Sequence, residues 1–519
     1  MVRMKNRRLC KGIGPAASAV LLAFGITGFV TSVEADDSMR SSSPDTALYS
    51  RPVVPEDLTL GNTAGAAGLA AGISFTVVDT VVDNTNPNLR FIDTFNDGET
   101  SIAINPRQPN EVVITAFSGS WGATAPLWLS RNGGNTWTKE FTINPPPGVG
   151  GVPGCPCDQT VDFGSFFNRL AGTFLTFMPN NIYSAFTANP ATFPSFQYLG
   201  SPAQATNHLN HLNDEDQPWL LIGPRPGVIG GENVYVAYDD FNTAPDMRVA
   251  VGAATSPLNF TTDASPGFGT GFVNPGHRLT IDPVAGAVYS LFQRCIAPGL
   301  LGSQNINYML NRSIDGGLTW SLNGSSTGIV VVNANSTQTT PKFCTVNALL
   351  GGVDHAAVDP QTGDVVYVYG TLDGSGINQL AMKRGTTNLS GAITFGPEIR
   401  ITTGSVNAAI PSVAITANGT IGVFYYTCDR VPPASPFPVF AAHFAISTDG
   451  GATFPTGINL ETFLSPALDN GNARQRVLGD YMQVKAVGNT FYGSFTGNGA
   501  PFGRTISNND PIFYRVSVR

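Results

Sequence analysis

An octapeptide recurs three times in this chain, and the recurrence restricts the fold more than any other feature. The copies are Ser130-Arg-Asn-Gly-Gly-Asn-Thr-Trp137, Ser313-Ile-Asp-Gly-Gly-Leu-Thr-Trp320 and Ser447-Thr-Asp-Gly-Gly-Ala-Thr-Phe454. Each follows an apolar stretch and reads as a tight hairpin turn. Asn132, Asp315 and Asp449 can accept hydrogen bonds from backbone N–H groups, and glycine supplies the positive φ that such turns need. Trp137, Trp320 and Phe454 then open the next strand and pack beneath the turn, so these six residues read as scaffold. Fainter copies end at Phe193, Phe260 and Phe395, which spaces the aromatic anchors about sixty residues apart. A period of that length marks an array of repeated supersecondary units.

Within each period the strands come in a fixed order. An inner strand such as Ser101-Ile-Ala-Ile or Pro218-Trp-Leu-Leu-Ile is followed by a turn. A second strand follows, such as Glu111-Val-Val-Ile-Thr or Asn233-Val-Tyr-Val-Ala-Tyr, and the octapeptide hairpin completes the unit. The period near Cys157 is the least regular. Ile512-Phe-Tyr-Arg-Val-Ser-Val reads as a third strand without a fourth, and Ile73-Ser-Phe-Thr-Val-Val as a strand without a unit. Pairing these two would close a ring and leave no unpaired edge. The expectation is an all-β propeller over residues 71–519, with seven blades favoured over six, closed by its N-terminal strand. Composition agrees: 58 Gly, 38 Pro and only 12% charged residues suit short strands and turns better than helices.

The first eleven residues are cationic, an apolar run spans Ala16 to Val30, and Val33-Glu-Ala35 resembles a signal-peptidase site. Residues 1–35 therefore read as a removed export signal, 36–70 as a flexible leader, and the product as secreted, periplasmic or extracellular. No later apolar run is long enough to span a bilayer. Losing five basic residues and one acid with the signal takes the formal charge from −8 to −12. An acidic chain has no general electrostatic reason to hold nucleic acid. Export permits disulfides, and Cys295–Cys344 is the preferred pair. A monomer without cofactor is expected. Ca²⁺ at the rim acids is the one candidate ion, although no contiguous calcium loop is present.

In such a ring, the starts of the inner strands and the ends of the second strands share one face. The starts carry Glu99, Asp158, Asp162, Asp214-Glu215-Asp216, His277-Arg278, Asp354-His355, Asn407 and Asp480-Tyr481. The ends add Trp121, Asp239-Asp240, Arg294, Asp373, Asp429-Arg430 and Arg504. Carboxylates, arginines, histidines and aromatics on one rim are what a saccharide pocket needs.

The octapeptides resemble the Asp-box, or BNR repeat, of the sialidase superfamily. That resemblance implies a secreted, glycan-active propeller, with a glycan or polysaccharide as partner and an exo-glycosidase acting on acidic sugars as the activity. It implies a carboxylate-holding triad drawn from Arg278, Arg294, Arg430 and Arg476. It further implies Tyr481 as nucleophile with Glu215 or Asp216 as its partner, and Asp480 as a further catalytic candidate. His277, His355 and Trp121 complete the substrate-binding set. Two other readings stay open: a polysaccharide lyase with His277, His355 or Tyr481 as base, and a glycan- or protein-binding propeller without catalysis.

Overall fold

The computed structural model describes residues 72–519 apart from 82–97, 119, 123–124, 148–155, 167, 177–179, 199–213, 243–245, 257–258, 270–275, 300–301, 431–436 and 504–508. The expected export signal (1–35) and leader (36–70) lie outside the described residues.

Seven antiparallel sheets follow one another in sequence and form the seven blades. Blade 1 comprises Gly98–Ile104, Val112–Phe117, Pro126–Ser130 and Thr138–Thr142. Blade 2 has three strands, Gln159–Phe163, Leu170–Leu175 and Ile182–Thr187, with Phe186 bridging Gln197 where a fourth would run. Blade 3 comprises Glu215–Pro224, Glu232–Asp240, Asp246–Ala253 and Phe260–Phe268. Blade 4 comprises Arg278–Ile281, Val288–Pro298, Gln304–Ser313 and Ile329–Ser336. Blade 5 comprises Asp354–Val358, Val365–Leu372 and Asn378–Thr387, with Ile393–Phe395 and Ile399–Arg400 both pairing its third strand. Blade 6 comprises Asn407–Ile415, Ile421–Arg430, Val439–Ser447 and Thr456–Leu464.

Blade 7 takes Gln483–Val487, Thr490–Asn498 and Asn509–Val518 from the end of the chain. Its outer strand is Ile73–Asp79, running antiparallel with Ile73 opposite Val518 and Asp79 opposite Ile512. The N-terminal strand therefore closes the ring. Ala500–Phe502 forms a 3₁₀ turn, and among the described residues no helix is long and apolar enough to cross a membrane.

Blades stack face to face, so their inner and second strands are apolar on both sides. Val112–Phe117 and Glu232–Asp240 are buried along their whole length. Tyrosines fill the space between blades, and two of them bond across it. Tyr308 of blade 4 donates to the Gly370 carbonyl of blade 5 at 2.7 Å, and Tyr426 of blade 6 to Thr496 of blade 7 at 2.8 Å. Burying each large side chain contributes roughly 1.5–3 kcal/mol.

All three octapeptides fold alike. Ser313 Oγ donates to Asp315 Oδ1 at 2.7 Å and accepts from Gly317 N at 2.8 Å, while Thr319 N and Oγ1 donate to the Asp315 carboxylate at 3.0 and 2.6 Å. Ser447, Asp449, Gly451 and Thr453 repeat that pattern, and Ser130, Asn132, Gly134 and Thr136 do so with an amide whose Nδ2 donates to Thr136 Oγ1. The second glycine also lies against the preceding blade. A Cβ on Gly134 would sit 1.9 Å from Phe513 of blade 7, one on Gly317 2.6 Å from Val251 of blade 3, and one on Gly451 2.6 Å from Met382 of blade 5. The octapeptide is thus a staple between blades as well as a turn. Phe193 departs from the series: blade 2 has lost the hairpin, and this ring is exposed.

One expectation is corrected. Cys344 is bonded to Cys428, with Cα atoms 5.2 Å apart, and not to Cys295. Cys295 lies within the second strand of blade 4, opposite Ile306. Cys344 belongs to the segment 337–353, which leaves blade 4 and reaches across to blades 6 and 7. No cysteine among the described residues is free.

Candidate functional site

The inner strands line the ring axis, and each leaves one edge without a strand partner. Side chains from the preceding blade occupy that edge. Ser101 Oγ accepts from Val161 N at 3.0 Å, Thr160 Oγ1 from Leu220 N at 2.9 Å, and Ser412 Oγ from Val484 N at 3.0 Å. Gln483 Oε1 accepts from Ile102 N at 3.1 Å, and His355 Nδ1 from Val413 N at 3.1 Å. Buried N–H groups need such partners. His355, a substrate-binding candidate in the sequence, thus acts as an edge cap, with its proton on Nε2.

At the upper end of the axis, where the inner strands begin, the ladder is interrupted. Register shifts fall between Gly98 and Ser101, opposite Tyr238, and between Ala409 and Ser412. The residues at these bulges, Glu99, Gln217 and Ile410, have φ of 49°, 48° and 55°. Bulges re-aim side chains, and strained backbone of this kind concentrates at functional sites.

The bulges bring a group of charged side chains together. Arg476 Nη1 lies 3.1 Å from Glu99 Oε1 and 2.8 Å from Asp480 Oδ2. Gln217 Nε2 donates to Asp480 Oδ2, and Gln217 Oε1 accepts from Arg278 Nη1 at 2.9 Å. The Arg278 guanidinium stands 5.0 Å from the Trp219 ring centre and 4.9 Å from that of Tyr481. Asp158, Asp216 and Asp239 complete the group, and all of these residues are buried.

Carboxyls outnumber guanidiniums in this group, and burial decides their state. Burial, reinforced by Asp216, pushes Asp158 up to about 7. Burial raises Asp216 to about 6 against the pull of Arg476. Glu99 and Asp239 are raised well above the usual carboxylate range, again chiefly by burial. Neither oxygen of Asp239 takes a hydrogen bond, and Asp480 Oδ1, Arg278 Nη2 and Tyr481 Oη also lack one. Two carboxyls poised near neutrality and a set of unsatisfied polar atoms make this the candidate site.

The remaining candidates divide. Arg278, Arg476, Asp216, Asp480 and Tyr481 belong to the axial group. Tyr481 has its phenol raised well above the usual range, first by burial and then by Asp158. Glu215 is turned away: Oε2 accepts from Ile182 N of blade 2 at 2.8 Å. His277 donates from Nδ1 to the Tyr238 carbonyl and accepts at Nε2 from Ser290, and burial lowers it to about 3. Arg294 lies on the Phe268 ring, 4.0 Å from its centre, and donates to the carbonyls of Phe268 and Thr327. Trp121 packs against the cluster of Ala125, Ile143, Phe174 and Ala185. The Arg430 side chain lies outside the described residues. Among the described residues no group of three or more His, Cys, Asp or Glu is arranged to hold a metal ion.

Sequence reasoning missed Gln217, which bridges Arg278 and Asp480, and the strap 337–353. Leu350 O accepts from Gln217 Nε2 at 3.3 Å, and Asn347 Oδ1 accepts from Leu478 N at 2.8 Å. A Cβ on Gly352 would sit 1.6 Å from the Asp480 carbonyl, so the strap rests directly on the backbone of the axial group. The length of this run between strands was the available signal.

No protein-family model matches the chain, and no curated protein matches it. Solved structures with a similar course include a protein of unknown function from Dyadobacter fermentans, at 14% identity and a TM-score of 0.38, covering 87% of this chain and 100% of that one. The polysaccharide lyase Uly1 is similar at 10% identity and a TM-score of 0.43, covering 81% and 90%. An alpha-L-arabinanase from Penicillium chrysogenum, complexed with arabinobiose, is similar at 12% identity and a TM-score of 0.34, covering 58% and 92%.

Proposed function

We propose that this chain is an exported, glycan-active propeller that hydrolyses glycosidic bonds with the axial carboxyls Asp158 and Asp216. One observation carries the reading: two buried, adjacent carboxyls held near 7 and near 6 at the strained upper end of the axis. Asp158 is protonated below about 7 and serves as the acid that gives a proton to the leaving oxygen. Asp216 is ionised above about 6 and acts as base or nucleophile on the opposite side of the sugar. The disulfide and the export-type N-terminus favour work outside the cytoplasm.

Sialidase-type chemistry is the finer form suggested by the octapeptides, with Arg278 and Arg476 toward a sugar carboxylate and Tyr481 as nucleophile. The carboxyl pair is favoured over it because the Tyr481 hydroxyl has no carboxylate partner. Lyase chemistry through His277 is disfavoured because both ring nitrogens are engaged. The test is a panel of aryl glycosides, including a sialoside, alongside uronic-acid polysaccharides. Release of the aryl group supports hydrolysis, and the sialoside reports the finer form. Only new absorbance from an unsaturated uronate would mean a lyase; binding without any product would mean a non-catalytic module.

A further inference from the structure

A cavity of about 260 Å³ runs along the ring axis below the axial carboxyls. Residues from blades 2 to 7 wall it, from Trp219 and His355 near the top to Pro224 and Pro283 at the bottom. Pro283 is exposed in a turn at the lower end of blade 4, so the cavity opens there. Most of the lining is aliphatic, with Leu221, Leu279, Ile281, Val358, Ala414 and Val484 among it. The charges in the wall form a neutral pair: Lys485 Nζ donates to Asp162 Oδ1 at 2.5 Å, and Asp162 Oδ2 accepts from Ile222 N at 2.8 Å. None of Glu99, Asp158, Asp216, Asp239 and Asp480 lines this space.

At the top of the cavity stand hydrogen-bond donors with nothing to accept from them. Around the axis, the residue just before a capped N–H caps the next blade in turn: Thr160 before Val161, Ser412 before Val413, Gln483 before Val484. Trp219, before Leu220, holds that position in blade 3, and His355, which caps Val413, holds it in blade 5. Trp219, His355 and Gln483 are therefore at one level of the axis, and all three line the cavity. Each is more than nine-tenths buried. Gln483 uses its oxygen, accepting from Ser101 and Ile102, while its Nε2 has no acceptor. Trp219 Nε1 has none either. His355 accepts at Nδ1, so its proton is on Nε2, which has no acceptor among the described residues.

We propose that the lower axial cavity binds a small uncharged carbonyl compound with an apolar body. Its oxygen would lie at the level of Trp219, His355 and Gln483, and its body among the aliphatic side chains. Buried N–H groups without acceptors cost free energy, and one carbonyl oxygen can accept from two of them. Water would also accept, but it brings two protons of its own into a mostly aliphatic space. An ionic ligand would meet no net charge in the lining and would lose its hydration. An apolar cavity of about 150 Å³ holds a benzene ring, so this one has room for a ring with a short substituent. The site uses none of the axial carboxyls and stands whether or not the chain cleaves glycans.

The test is equilibrium dialysis of the chain against acetophenone and against ethylbenzene, which has a similar shape without the oxygen. Acetophenone is expected to bind at a single site and at least about tenfold more tightly than ethylbenzene. Ala486→Phe, at a half-buried position near the lower opening, should abolish binding with unchanged circular dichroism. Trp219→Phe keeps a ring but removes a donor, so it should weaken acetophenone by about three- to tenfold and leave ethylbenzene unchanged. No binding of acetophenone up to its solubility would overturn the proposal and leave the cavity to water. Equal affinity for ethylbenzene would overturn it too, as would binding that neither substitution alters.

Discussion

Arg515, four residues before Arg519, donates from Nη1 to the carbonyl of Gly133 at 2.8 Å. The bond joins the third strand of blade 7 to the octapeptide turn of blade 1 and so ties the last blade to the first. Arg384 of blade 5 makes the corresponding bond to Gly450 of blade 6 at 3.0 Å. Arg515→Ala should cost about 1–2 kcal/mol, as loss of a charge-assisted hydrogen bond does. Gly134→Ala should cost more, about 2–4 kcal/mol, because alanine meets both a φ of 92° and the Phe513 ring. Thermal unfolding checks both, and a Gly134→Ala protein as stable as the parent would show that the octapeptide is no staple.

Peptide mapping under non-reducing conditions should recover Cys344 linked to Cys428. Cys428→Ser should lower stability by about 2–4 kcal/mol and loosen the strap 337–353, read as faster amide exchange at Leu350 to Gly352. A peptide linking Cys344 to Cys295 would refute the assignment.

How far these features were legible in the sequence depends on whether their cause is local. The octapeptide turn is local: Ser313, Asp315, Gly317 and Thr319 make their bonds within a few residues, so the pattern announces the hairpin and the period announces the ring. The seam was legible too, because Ile73–Asp79 and Asn509–Val518 are each half of a unit. The axial group was only partly legible. Its acids, Arg278 and Tyr481 were named as rim residues and Arg476 through the resemblance, while Gln217 was missed. Nothing local says that Glu99 and Gln217 sit at bulges with positive φ, or that Glu215 turns to Ile182 while its neighbour Asp216 turns to the axis. His355 looked like a ligand group because its task, capping Val413 N of the next blade, exists only once the ring has formed. The partner of Cys344 was hidden for the same reason.

Stability should depend on pH through the axial carboxyls. Asp158 is raised in the folded chain to about 7, so its contribution is fully present below the ordinary aspartate range and is lost as pH rises through 7. Asp158→Asn should therefore flatten the decline in stability between pH 4 and pH 7. His277 works in the other direction. Lowered to about 3, it contributes stability above its ordinary range that is lost as pH falls toward 3. His277→Gln should reduce acid sensitivity relative to its own stability at neutral pH. Denaturant midpoints across this range check both signs.

On any glycoside that the chain cleaves, kcat/KM should be bell-shaped, with an acid limb near 6 from Asp216 and an alkaline limb near 7 from Asp158. The two carboxyls are neighbours, so the limbs belong to the pair. A profile flat from pH 5 to pH 8 would contradict this assignment.

Hydrolysis of the best aryl glycoside by Asp158→Asn, compared with the parent chain at equal folded content, tests the central claim most directly. A fall of about 10²–10⁴ in kcat with the substrate still bound is the predicted result. Turnover at the parental rate would contradict the account, as would a parent chain that binds glycans and cleaves none.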